Sequence, residues 1–124
     1  MRHVIRPFIA VVAVGGMALG LVQLASANVP QTAQAAATTQ VNGREFRFKL
    51  SSKSAAKPGT VTFNFTNTGT VAHDFKIDGK TTPLVQPGHT AKLVVRFKKA
   101  GKFSYLCTVP GHAAAGMRGV FTVR

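Results

Sequence analysis

From Val41 onward, polar and apolar residues alternate with a period of two. Successive side chains of a β-strand point to opposite faces, so this pattern builds strands with one buried face and one wet face. Glu45 to Leu50 alternates, and Thr60 to Thr66 does so cleanly. His73, Phe75 and Ile77 share one face, with Asp74, Lys76 and Asp78 on the other. Leu93, Val95 and Phe97 alternate with Val94, Arg96 and Lys98, and Phe103, Tyr105 and Cys107 with Ser104 and Leu106. Val120 to Val123 is a short β-rich end. Turn signals separate these runs: Lys57-Pro58-Gly59, Asn67-Thr68-Gly69, Asp78-Gly79, Gln86-Pro87-Gly88 and Ala100-Gly101. No segment after Val41 carries a helical stripe. The pattern predicts an all-β fold, an antiparallel sandwich or barrel. Phe46, Phe48, Phe63, Phe65, Phe75, Phe97, Phe103 and Tyr105 are its expected aromatic core.

The N-terminus reads differently. Met1 to Arg6 carries two arginines and no acid, Phe8 to Val22 is apolar, and Ala25-Ser26-Ala27 is a small-x-small cleavage site. These three regions describe a secretory signal peptide over residues 1–27. The apolar run is shorter than the roughly 20 residues of a spanning helix. Residues 28–40 (NVPQTAQAAATTQ) lack apolar periodicity and read as a flexible low-complexity lead. The folded domain is expected over residues 41–124, on an exported chain that is periplasmic, extracellular or at the cell surface.

Charge narrows the chemistry. Lys and Arg number 16 against 3 Asp and Glu, a net charge of +13. With only Glu45, Asp74 and Asp78 acidic, a carboxylate-dyad mechanism or a carboxylate-rich calcium or magnesium cage has too few groups. Loss of Arg2 and Arg6 with the signal leaves +11. That excess suits solubility and sheet-edge protection, and it would also steer the protein toward an acidic partner protein or an anionic membrane surface. No nucleic-acid motif accompanies it.

The single cysteine, Cys107, cannot form an intramolecular disulfide. In an oxidising compartment it needs another reason to exist. Beyond the signal the soft or borderline donors are His73, His89, His112, Cys107 and Met117. Three lie in one loop with the spacing Cys107-x4-His112-x4-Met117, which can fold its donors toward a common point. His73 sits on the apolar face of another strand. His89 follows a Pro-Gly turn and reads as a surface residue. Structural zinc sites do not recruit Met, and haem ligation would bring a Cys-x-x-Cys-His attachment, absent here. Two His, one Cys and a long axial Met are the blue-copper set.

The stretch Gly101-Lys-Phe-Ser-Tyr-Leu-Cys107-Thr-Val-Pro-Gly-His112-Ala-Ala-Ala-Gly-Met117-Arg-Gly-Val resembles the aromatic strand, ligand loop and final strand of the cupredoxins, the small blue-copper family. Thr70-Val-Ala-His73-Asp-Phe is similar to the segment holding that family's first histidine ligand, and Pro87-Gly88 with Thr90 to its turn into a strand. The resemblance implies a Greek-key β-sandwich, one type 1 copper ion, and His73, Cys107, His112 and Met117 as ligands. One departure stands out: many relatives carry Asn after the first histidine, whereas this chain has Asp74. A carboxylate there can accept hydrogen bonds from loop amides or Thr108, and its charge would favour Cu(II).

The function implied is single-electron transfer between redox partners, by a monomer contacted near His112 through Pro110, Gly111 and Ala113 to Ala115. The alternative is a copper storage or delivery protein without redox duty. A self-contained copper enzyme would need further histidine-rich metal sites, and only His89 is spare, so the chain is not expected to be an enzyme.

Overall fold

The computed structural model describes residues 36–124. The expected signal peptide (residues 1–27) and the lead as far as residue 35 lie outside the described residues. Among the described residues nine strands follow in order: β1 (Ala37–Arg44), β2 (Arg47–Leu50), β3 (Ser54–Ala55), β4 (Gly59–Asn67), β5 (Lys76–Ile77), β6 (Lys80–Thr81), β7 (Thr90–Phe97), β8 (Gly101–Leu106) and β9 (Arg118–Val123). One sheet has the order β2-β1-β4-β7 and the other β3-β9-β8-β5-β6, forming the expected β-sandwich.

Alternation set the strands as the sequence implies. In β4 the inward residues Val61, Phe63 and Phe65 are buried, and in β7 Leu93, Val95 and Phe97. Phe63 is the hub, meeting Phe75, Phe97 and Phe121 at ring-centroid distances of 5.3, 6.4 and 5.2 Å. Phe75 in turn meets Phe48 and Tyr105 at 5.2 and 5.5 Å. Rings from both sheets thus interdigitate, and edge-to-face and tilted pairs add to the area they bury. Phe121 completes this core, although the sequence reading had not picked it out.

Three expectations need correction. The first is the lead: Ala37 to Gln40 is not a flexible segment but the first half of β1, laid along Val61 to Asn64 of β4. Only Thr39 of these four residues points inward, so the stretch shows no alternation a sequence reader could detect. The second is strand direction. β1 pairs with β4 and β3 with β9 in parallel, because the chain leaves the first sheet after β2, visits the second at β3 and returns at β4. Alternation reports which face is buried and says nothing of direction, and parallel neighbours need such a crossover. The third is Phe46, which is 43% exposed. Glu45 and Phe46 form the turn between β1 and β2, so the alternation drawn through Glu45–Leu50 is true only from Arg47.

Replacing Phe63 by Ala should lower the unfolding free energy of the metal-free protein by about 3–5 kcal/mol. The same change at exposed Val94 should move it by no more than about 0.5 kcal/mol. Urea unfolding followed by circular dichroism checks both, and equal effects would contradict this core.

Candidate metal centre

The site lies at the end of the sandwich where β8 runs into the loop before β9. Cys107 directly follows β8, and its N–H donates to the Met117 carbonyl at 3.0 Å. The loop then turns sharply: the His112 N–H donates to the Val109 carbonyl at 3.1 Å across Pro110-Gly111. Proline presets the first turn position, and Gly111, at φ 83°, takes the left-handed conformation at the second. The Met117 N–H then donates to the His112 carbonyl at 3.0 Å. Backbone bonds thus tie all three loop donors to one another.

His73 comes from the other direction. It makes a two-bond bridge with Val85, N–H to carbonyl at 3.1 Å and carbonyl to N–H at 2.8 Å. That bridge hangs on Asn67, which is fully buried; its Nδ2 donates to the Val71 and Val85 carbonyls at 2.8 Å each, and its Oδ1 accepts from the Gly69 N–H at 2.9 Å. The sequence marked Asn67 only as a turn residue.

These two scaffolds bring His73, Cys107 and His112 together, with His73 and Cys107 buried and His112 half-buried. Nδ1 of His73 lies 3.0 Å from Nδ1 of His112, and Sγ of Cys107 lies 4.0 and 3.6 Å from those two nitrogens. A point equidistant from the three atoms falls inside the triangle, about 2.1 Å from each, close to the ~2.0–2.3 Å bonds of a first-row metal to imidazole and thiolate. Met117 is fully buried at the far end of the loop. A side chain at Gly43 of β1 would run into the Phe65 ring and the Met117 methyl, so only glycine leaves room there. His89 is exposed and stands apart from the group, as expected.

Two carboxylates brace the donors. Asp74, 7% exposed, accepts from the Thr108 N–H at 2.6 Å and from the Thr108 hydroxyl. It therefore links the His73 segment to the residue after Cys107, the role anticipated for a carboxylate at this position, and it is not a surface acid. Glu45 was not anticipated as part of the site. Its Oε1 lies 3.0 Å from Nε2 of His73 and accepts from the Thr70 and Val71 N–H groups at 2.8 and 2.9 Å. Backbone N–H donors and the His73 ring hold its carboxyl down at about 2, so it is ionised at neutral pH. With Nε2–H committed to Glu45, Nδ1 of His73 is the free lone pair, and it faces Cys107. Burial pushes the Cys107 thiol up, and the Asp74 charge adds to this, while backbone donors from Asp74 and Val109 oppose it. A metal entering here displaces a proton from sulfur.

Residues 31–124 match the family model for copper binding proteins of the plastocyanin/azurin family. The chain belongs to that family, the cupredoxins. Among solved structures it is similar to a dithionite-reduced auracyanin from Roseiflexus castenholzii, with a TM-score of 0.63 and 22% identity over 73% of this chain and 98% of that one. Auracyanin A from Chloroflexus aurantiacus gives a TM-score of 0.58 at 22% identity, over 70% of this chain and 98% of that one. At such identity the likeness shows the fold alone. Curated relatives named copper-resistant cuproprotein CopI share 43% identity over 49 residues in Pseudomonas aeruginosa and 30% over 100 residues in Rubrivivax gelatinosus. These matches cover 40% and 63% of this chain, and span only 27% and 60% of the length of those relatives. As a cupredoxin the protein binds copper, and its His-Cys-His group has the composition and spacing that one type 1 copper ion requires.

Removing the Glu45 carboxylate frees the His73 ring to choose its tautomer and to turn. Glu45→Ala should weaken copper affinity about 10–100-fold, measured by competition with a chromophoric Cu(I) chelator. An unchanged affinity would mean that Glu45 gives His73 no support.

Proposed function

We propose that this cupredoxin is an exported electron carrier, with no enzymatic activity of its own, that holds one copper ion through His73, Cys107, His112 and Met117. The observation that carries this reading is the donor triangle, braced on both sides by Glu45 and Asp74. Bound copper supplies the one-electron step between Cu(I) and Cu(II). The chain's own part is to keep the donors from moving between the two states, which keeps reorganisation small. Thiolate sulfur suits the reduced ion and imidazole the oxidised one. The buried negative charge of Asp74 favours Cu(II), so Asp74→Asn should raise the potential.

The electron path to a partner runs through His112. It is the one half-buried member of the group, flanked by exposed Pro110, Gly111, Ala114 and Ala115, whose small side chains permit close approach. The partner is a redox protein with an acidic docking surface, drawn by the excess of cations.

A second reading is supported by the likeness to proteins named copper-resistant: the same site would store or hand over copper without redox duty. Voltammetry of the copper-loaded protein, paired with a Cu(I) transfer assay to bicinchoninate, separates the two. A carrier gives a reversible one-electron wave and retains Cu(I). No reversible wave, with ready release of Cu(I), would replace this reading with the second.

A further inference from the structure

The turn between β1 and β2 touches the metal centre twice. Glu45 reaches inward to His73, and the ring of Phe46 packs edge-on against His112 with centroids 5.1 Å apart. Flanking them, Arg44 and Arg47 sit directly opposite each other as the last pair of the β1–β2 ladder, and both are exposed. Their side chains, with those of Lys49, Asn42 and Thr68, line one surface concavity.

Like charges directly opposite in an antiparallel pair oppose strand pairing, so the arginines do not serve the hairpin's own stability. No acid is at hand to offset them. Glu45 and Asp74 are committed to His73 and Thr108, and Asp78 lies in the β5–β6 turn. Among the described residues the only ion pair is Glu45–His73. The cations therefore face outward without partners. Between them in the turn, Phe46 offers an apolar side chain, 43% exposed, on the hairpin tip that covers His112. Planar guanidinium forks match carboxylates two bonds at a time, and arginine and exposed aromatic side chains on one short turn are residue types enriched at protein-binding hot spots.

We infer that the hairpin tip from Arg44 to Arg47 is the docking element for an acidic redox protein, the two arginines gripping its carboxylates while Phe46 closes over the His112 edge. This rests on the electron-carrier reading and adds to it where the partner sits: on β1–β2, beside the loop patch of small residues.

The test compares two double variants of equal net charge. Arg44→Gln/Arg47→Gln removes the tip cations. Lys98→Gln/Lys99→Gln removes two exposed cations from the β7–β8 connection, at the end of β8 opposite Cys107 and about 20 Å from it along the six residues of that strand. Each copper(II) protein is mixed in a stopped-flow instrument with a reduced flavodoxin, an acidic protein that gives up one electron, at low and high ionic strength. The visible copper band, unaltered in both variants, shows that neither has lost the site. At low salt the tip variant should react about tenfold more slowly than the unmodified protein, the control variant should change less than about twofold, and the difference should fade at high salt. Equal slowing in both variants would overturn the docking inference while leaving the carrier reading intact. An unmodified protein that exchanges electrons with neither flavodoxin nor an electrode would overturn both.

Discussion

A buried histidine with one ring nitrogen bound to a carboxylate has only the other to offer. That constraint, imposed on His73 by Glu45, decides how the rest of the site can work. It fixes the tautomer, fixes the ring plane, and leaves Nδ1 pointing at Cys107 and His112. The Glu45 carboxylate also collects the Thr70 and Val71 amides, so one side chain from the first hairpin sets the path of the segment leading to His73. Asp74 does the matching task on the other side by holding Thr108. Of three acidic residues in a strongly basic chain, two are spent on orienting metal donors.

The sandwich makes such precision affordable. Interlocked rings around Phe63 and Phe75 give both sheets a common, dense core, and dense cores resist small displacements. The ligand loop adds its own backbone bonds between Cys107, His112 and Met117. Asn67 satisfies three backbone groups from a position with no solvent access, which fastens the His73 bridge to the end of β4. Rigidity of this kind is what a centre needs if it is to change charge without changing shape.

Much of this was legible in the sequence. Local features carried it: the alternation of Thr60 to Thr66 marked β4, and the spacing of Cys107, His112 and Met117 within one loop marked the centre. His73 could be added because it lies on an apolar face where a histidine needs a reason. What escaped detection was non-local. Glu45 is 28 residues from His73, and nothing near either residue announces the contact. A scarcity argument could have raised the question, since an acid retained in so basic a chain invites one. Phe46 looked like a core residue because alternation cannot see that a turn interrupts it. The parallel pairing of β1 with β4 was hidden for the same reason: a half-buried strand has one pattern whichever way it runs.

The account stands on Cys107 acting as a thiolate donor within a trigonal set with His73 and His112. Adding Cu(II) to the metal-free protein and recording its visible absorption tests this most directly. The account predicts an intense thiolate-to-copper band that disappears on reduction and is absent in Cys107→Ser. A colourless protein, or a weak band that survives Cys107→Ser, would contradict it.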